Sequence, residues 1–160
     1  MEITEQLKEK YRDTDYCVKL PDTEIVLRVG QYSPRLKSLM DEHSASGAVF
    51  ITAWNPFGVV RGAAENTAAN TSLQKDLAEA ASFVFPGYGA SPEGDWKEES
   101  YLALRVSRQA ATEMCARHAQ NAVIFIGEDG VPELLFHPDL RRADIDEFTI
   151  SKTISDDVES

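Results

Sequence analysis

Two uninterrupted apolar runs most strongly limit how this chain can fold. They are Gly47 to Trp54 (GAVFITAW) and Asn121 to Ile126 (NAVIFI). Both are rich in residues that favour β-strands, and such runs belong to central strands that are covered on both faces. We therefore expect a sheet with these two strands near its middle and helices packed against it.

Periodicity in the rest of the chain predicts the remaining elements. Apolar residues alternate with polar ones in two further strands, 23–29 and 100–106. Two short strands, 82–85 and 132–136, complete the sheet, and the second contains a proline typical of an edge strand. Ser33 and Ser107 are good caps for the helices that follow them. The predicted helices are 4–12, 33–43, 63–81 and 107–119. Residues 86–99 (PGYGASPEGDWKEE) are predicted to form a long loop, a kind of segment that is often functional or mobile.

This order of elements predicts an α/β (mixed α+β) fold, built as a single layered domain with a mixed β-sheet and helices packed on it. A chain of 160 residues is long enough to bury a core in one domain. We place the domain at residues 1–138. Residues 139–160 are polar and rich in acidic residues, which predicts a weakly ordered C-terminal tail.

The charge of the chain argues against several classes of partner. The formal net charge is −11, and no run of Lys and Arg offsets it. Nucleic acid is therefore an unfavourable partner, and so is an anionic membrane surface. The first residues lack the features of a signal peptide, and no apolar run is long enough to span a bilayer, which predicts a cytoplasmic protein.

Several spaced motifs resemble one bacterial family. They are Thr52 to Pro56 (TAWNP), Asn66 with Leu73 and Leu77, Trp96 to Ser100 (WKEES) and Gln120 to Val123 (QNAV). Together they are similar to the "domain of unknown function 3293" family over roughly residues 22–136. The resemblance implies a compact bacterial domain and supplies no catalytic assignment.

The predicted helix 63–81 carries an unusual polar stripe. Asn66, Asn70, Leu73 and Leu77 are spaced so that all four lie on one helix face. If the leucines face the sheet, the two amides must face it as well, and buried amides require hydrogen-bond partners. They either tie down neighbouring loops, which we favour, or contact a ligand.

Two segments near this stripe could complete a binding site. Thr52 and Asn55 follow the central strand at its carboxyl end, where ligands bind in open α/β sheets. The loop after Asn55 contains Arg61 and leads into a helix N-terminus, an arrangement that can hold an anion. The glycine spacing matches no phosphate-binding motif, so an ordinary connecting loop is favoured.

The WKEES segment supplies the candidate catalytic groups. Alternation places Glu98 and Ser100 on one face of their strand and Glu99 on the other. The inward glutamate is either a general base with a raised pKa or, as we favour, an acceptor that holds the loop. Trp96 could stack on a flat ligand, and Gln120 lies where a helix end meets the next strand.

These residues lead to two functional hypotheses. The first is a domain that binds a polar small molecule or a protein partner, with ligand contacts from Thr52, Asn55, Arg61, Asn66, Asn70, Trp96, Ser100 and Gln120. The alternative is an enzyme that acts on a small polar or nucleotide-like substrate, with Glu98 or Glu99 as its base. Whether the chain is an enzyme stays open, because no triad or metal-ligand spacing is present. We expect no metal and no cofactor, and the sequence indicates no oligomeric state.

Overall fold

A seven-stranded antiparallel sheet forms the centre of the molecule. The computed structural model describes residues 2–142. The strands of this sheet are β2 (Asp15–Lys19), β3 (Glu24–Leu27), β4 (Ala48–Ile51), β5 (Phe83–Ala90), β6 (Lys97–Leu104), β7 (Ala122–Ile126) and β8 (Pro132–Phe136). They lie in the order β3-β2-β5-β6-β4-β7-β8, so the proline-containing β8 is at an edge, as predicted. The two apolar runs form β4 and β7, which pair directly.

Four helices cover the sheet. They are α1 (Glu5–Arg12), α2 (Pro34–Glu42), α3 (Ala63–Ala80) and α4 (Arg108–Arg117). Ser33 and Ser107 cap α2 and α4 as predicted, because their hydroxyls accept the backbone N–H groups of Leu36 and Ala110. These elements make up a mixed α+β single domain, in agreement with the predicted fold class.

The sheet separates two apolar layers. Along β4, Ala48 and Phe50 face the layer that contains residues of α2. Val49 and Ile51 face the opposite layer, in which α3 and α4 lie. Because successive residues of a strand point to opposite faces, an uninterrupted apolar run is what a strand between two layers requires.

The prediction of a long loop at 86–99 is wrong. Most of that segment belongs to a hairpin, in which β5 and β6 pair from Phe83 with Leu104 to Ala90 with Lys97, and only residues 91–96 connect them. Its proline and glycines disfavour a strand locally, but one glycine is demanded by tertiary packing. A side chain at Gly87 would overlap the carbonyl oxygen of Cys17 on β2.

The two ends of the described chain also pair. Strand β1 (Glu2–Ile3) lies parallel to β9 (Arg141–Arg142) in a separate two-stranded sheet. Part of the predicted C-terminal tail is therefore strand, and the rest, residues 143–160, lies outside the described residues. Within residues 2–142, no helix has the length and apolarity needed to cross a membrane.

Candidate functional site

The Asn70 amide joins α3 to two other segments. Asn70 is 2% exposed and lies beside Leu73 and Leu77, so it faces inward as predicted. Its Oδ1 accepts the N–H of Ala53 at 2.7 Å, and its Nδ2 donates to the carbonyl oxygen of Glu99 at 2.8 Å. The Thr52 hydroxyl donates to the same carbonyl oxygen at 2.6 Å. Asn70 and Thr52 thus connect the end of β4 to β6.

The Asn66 amide holds the loop that follows β4. Asn66 is also 2% exposed. Its Oδ1 accepts the N–H of Asn55 at 2.8 Å, and its Nδ2 donates to Asn55 Oδ1 at 2.9 Å. The Asn55 side chain in turn accepts the N–H of Arg61 at 2.9 Å. These bonds satisfy the amides within the protein, which is the loop-holding role favoured by the sequence.

This loop contains backbone conformations that side-chain-bearing residues seldom adopt. Asn55 has φ 45° and Phe57 has φ 54°, both in the left-handed region. The conformation is held by the Asn66 bonds and by the N–H of Phe57, which donates to the carbonyl oxygen of Ala119 at 2.7 Å. Such conformations persist only where surrounding contacts impose them.

An anion at the start of α3 would meet an acidic side chain already in place. The Glu65 carboxylate accepts the N–H of Gly62 at 3.2 Å. The N–H of Arg61 is used by Asn55, and the Arg61 side chain is exposed. The N–H groups of Arg61 and Gly62 are therefore not free to bind an anion.

A small cavity, which we call the inner cavity, lies on the sheet face that carries α1. Its volume is about 70 Å³. Four of the predicted ligand contacts line it, together with one of the two candidate bases: Thr52, Trp96, Ser100, Gln120 and Glu98. Asn66, Asn70 and Arg61 do not line it, and Glu99 lies exposed on the opposite face of β6. The predicted residues thus divide between a closed amide network and an open cavity.

The inner cavity exists because a glycine stands in the middle of a cross-strand row. Tyr16 on β2, Gly89 on β5 and Glu98 on β6 are paired neighbours across three strands. Paired residues point to the same sheet face, so the missing side chain at Gly89 leaves space between the Tyr16 ring and the Glu98 carboxylate. The last turn of α1 covers this space with Lys10 and Tyr11.

Two side-chain hydroxyls hold that turn in place. The Thr14 hydroxyl donates to the carbonyl oxygen of Lys10 at 2.7 Å, and the Tyr16 hydroxyl donates to that of Tyr11 at 2.8 Å. Burial raises the pKa of Tyr11 and of Tyr16 above the ordinary value of a phenol, so both rings are neutral at neutral pH.

Glu98 is the chemically distinctive group of the cavity. Its side chain is partly buried, and it has no hydrogen-bond or ion-pair partner among the described side chains, those of residues 3–140. Burial raises the pKa of the Glu98 carboxyl above its ordinary value, and the positive charge of Lys10 partly opposes this shift. The sequence favoured a glutamate side chain as the acceptor that holds the loop. The backbone carbonyl oxygen of Glu99 accepts the hydrogen bond from Asn70 instead of the Glu98 side chain.

Two further spaces adjoin the inner cavity. A side cavity of about 40 Å³ shares Lys10, Tyr11, Glu98 and Gln120 with it and is also lined by Asn55 and Asn121. An outer groove of about 440 Å³ shares Lys10, Thr14 and Trp96. Gln120 lines both cavities, and its Nε2 donates to the carbonyl oxygen of Trp54 at 3.3 Å.

Most of the residues that line the inner and side cavities were not predicted from the sequence. Lys10, Tyr11, Thr14, Tyr16, Gly89 and Asn121 were not among the predicted site residues. Tyr11 gave a usable signal, since its spacing from Leu7 placed it on the covered face of a helix. Tyr16 lies on a strand that the pattern did not reveal, and Gly89 lies in the segment taken for a loop.

Thr52 and Asn55 do not follow a strand of a parallel sheet, as their predicted role in ligand binding requires. Ligands bind at the carboxyl edge of strands in open parallel sheets, whereas β4 pairs antiparallel with both of its neighbours. Thr52 lines the inner cavity because it continues the strand beneath α1.

Other reactive groups in the described residues offer no second centre. Both cysteines are free and buried, and burial raises the pKa of Cys115 to about 12, which keeps that thiol unreactive. No group of three His, Cys, Asp or Glu side chains suited to a metal ion occurs in this part of the chain.

The comparisons with known proteins gave one match. Neither the curated proteins nor the solved structures include a sequence that matches the chain. The matched family model is described as "Protein of unknown function (DUF3293)" and covers residues 51–123. The matched stretch is shorter than residues 22–136, over which the sequence motifs resemble the family. It contains Glu98, Gly89 and the amide network but not α1 or β2. Over residues 51–123, the match confirms the resemblance of the chain to the family of unknown function DUF3293.

Proposed function

We propose that this chain is a domain that binds a small polar molecule, and that the Glu98 carboxylate accepts a hydrogen bond from a donor group of the ligand. The observation that carries the proposal is a partly buried carboxylate without a partner in the described chain, placed on the wall of a cavity. Two buried free cysteines support the predicted cytoplasmic setting, since thiols persist in a reducing compartment.

The energetics of burial support a functional role for Glu98. Removing a carboxylate from water is unfavourable unless hydrogen bonds or an opposite charge compensate it. Among the side chains that the structure describes, none bonds to Glu98, and the Lys10 charge compensates its burial only in part, so the fold should be more stable without this carboxylate. Unfavourable groups of this kind are retained where a ligand supplies the missing partner.

The walls of the cavity limit the size of the ligand. A volume of about 70 Å³ exceeds the ~15 Å³ that one ordered water requires. It is well below the ~300 Å³ of a site for a drug-sized molecule. The inner cavity therefore accepts a ligand of a few heavy atoms, or the end of a longer one that continues into the outer groove past Trp96.

The same carboxylate supports a second candidate, an enzyme. A raised pKa brings a glutamate closer to the operating pH of a general base, and Glu98 has both this property and access to a cavity. In that role it would take a proton from a small polar substrate. Glu99 does not have these properties, since it is exposed on the other face of the strand.

Ligand titrations of amide NMR spectra test the binding proposal. Methylamine, ethylamine and acetamide present small donor groups to Glu98. We expect selective shifts at residues around Gly89, Trp96 and Glu98, and an affinity at least tenfold lower in Glu98→Gln. Glu99→Gln is the matched control and should bind as the parent does.

A variant that partly fills the inner cavity tests the binding proposal independently of Glu98. A Cβ at Gly89 would lie 3.7 Å from Thr14 Cγ2, 3.9 Å from Tyr16 Cδ1 and 4.0 Å from Trp96 Cζ3, all ordinary contacts. Gly89→Ala should therefore fold normally, reduce the inner cavity and weaken binding. Equal binding in Glu98→Gln and the parent, or no response to any probe, would overturn the proposal.

A further inference from the structure

We infer that the ligand is a small zwitterion, whose ammonium group meets Glu98 and whose carboxylate meets Lys10. This inference rests on the proposed function and names the chemical class of the ligand. It follows from two charges of opposite sign that line the same spaces without bonding to each other, and from a second buried acceptor beside Glu98.

Lys10 is the positive end of this arrangement. It lines the inner cavity, the side cavity and the outer groove. Its neighbours are already paired: Lys8 with Glu5 at 3.0 Å, and Arg28 with Asp15 at 2.6 Å. Lys10 has no ion-pair partner among the described side chains of residues 3–140, although acidic residues outnumber basic ones by 27 to 16 in the chain.

Lys10 and Glu98 do not neutralise each other. They are close enough for the lysine charge to act on the glutamate, yet they form no ion pair. A ligand with only a positive charge would be attracted by Glu98 and repelled by Lys10. A ligand with only a negative charge would be attracted by Lys10 and repelled by Glu98. A molecule with both charges satisfies both side chains.

Asn121 supplies the second acceptor. Its Oδ1 is buried and has no hydrogen-bond partner in the described part of the chain, and the residue lines the side cavity together with Glu98. An unpaired buried acceptor is unfavourable, as Glu98 is, and both require a donor. An ammonium group has three N–H donors, which is enough for Glu98 and Asn121 and one more acceptor.

The dimensions favour a short separation between the two charges. The cavities of about 70 and 40 Å³ hold few atoms, and both are bordered by Lys10 and Glu98. Trp96 and Tyr11 offer aromatic surface along the inner cavity, which suits the short aliphatic part and the cationic end of such a ligand. Small amino acids are the simplest molecules with this chemistry.

Isothermal titration with matched probes tests the inference. Glycine, β-alanine and γ-aminobutyrate vary the distance between the charges, while ethylamine and propionate each keep one charge. We expect at least one zwitterion to bind at least tenfold more tightly than both single-charge probes.

Variants assign each charge to its residue. Lys10→Met should remove the preference for the zwitterion over ethylamine and, because a repelling charge is lost, should tighten ethylamine binding. Asn121→Ala should weaken ethylamine and zwitterion alike. Lys8→Met, on the same helix but outside the cavities, is the control that should retain the preference. Thermal unfolding of each variant shows whether it is folded.

The possible failures are distinguishable. If ethylamine binds as tightly as every zwitterion, or if Lys10→Met keeps the preference, the zwitterion inference is wrong while the role of Glu98 stands. If neither ethylamine nor any zwitterion binds, both the inference and the proposed function are overturned.

Discussion

At the scale of single residues, the placement of Glu98 is the feature with the clearest energetic consequence. Strand alternation puts it on the same face of β6 as Ser100 and Leu102, both of which are buried. Its neighbour Glu99 takes the other face and is exposed. Two adjacent glutamates therefore have different environments, and only one is subject to a burial penalty.

The stability of the protein should depend on pH through Glu98. Because the pKa of Glu98 is raised by burial, the folded state holds its proton more tightly than the unfolded chain does. The contribution of Glu98 to the free energy of unfolding therefore decreases as pH rises through the raised pKa. Glu98→Gln should be more stable than the parent at about pH 8, and its advantage should shrink toward about pH 4.

Urea denaturation at several pH values measures this difference. The exposed Glu99→Gln variant is the control and should change the free energy of unfolding by less than about 0.5 kcal/mol. A gap between Glu98→Gln and the parent that stays constant with pH would contradict the burial of a charged carboxylate.

At the scale of elements, α3 acts through its amides as much as through its leucines. Leu73 and Leu77 pack against the sheet, while Asn70 and Asn66 bond to the backbone of neighbouring segments. The helix thereby fixes the path of the chain after β4, including the left-handed residues Asn55 and Phe57.

Removal of the Asn70 amide should destabilise the fold strongly. Asn70→Ala leaves the N–H of Ala53 without its acceptor and deprives the Glu99 carbonyl oxygen of one of its two donors. The expected loss is about 2–4 kcal/mol in the free energy of unfolding, measured by urea denaturation.

Gln74→Ala is the matched control, because it removes an exposed amide from the same helix. Gln74 is exposed and makes no hydrogen bond within residues 2–142, so its removal should change stability by less than about 0.5 kcal/mol. Similar losses in the two variants would show that the Asn70 bonds are not needed for the fold.

At the scale of the whole molecule, the pairing of β2 with β5 joins the N-terminal strands to the rest of the sheet, and it includes one unusually close approach. Gly87 on β5 lies directly against the carbonyl oxygen of Cys17 on β2. A Cβ added at Gly87 would overlap that oxygen and lie 3.3 Å from Phe50 Cε2. Because Tyr16 on β2 lines the inner cavity, this pairing positions part of the cavity wall.

Gly87→Ala should therefore loosen the sheet. A methyl group there must displace backbone, which costs about 1–3 kcal/mol. Gly89→Ala, two residues along the same strand, meets only ordinary contacts and should change the free energy of unfolding by less than about 0.5 kcal/mol. Thermal and urea unfolding of the pair measure the difference, and equal stabilities would contradict the close approach of β2 and β5.

The sequence by itself determined the features that depend on local pattern. The apolar runs predicted β4 and β7, the serine caps predicted the starts of α2 and α4, and the asparagine–leucine spacing predicted two inward amides. It also predicted that one of Glu98 and Glu99 points inward. These properties follow from the periods of helices and strands, which act over a few residues.

Only the tertiary structure decided the strand order, the hairpin across residues 83–104 and the cavity at Glu98. Residues 86–90 carry a proline and two glycines, which locally resemble a loop, and they become a strand because β2 and β6 pair on either side. The cavity requires Tyr16, Gly89 and Glu98 to meet from three strands. Such pairing joins residues far apart in the chain, and no local pattern records it.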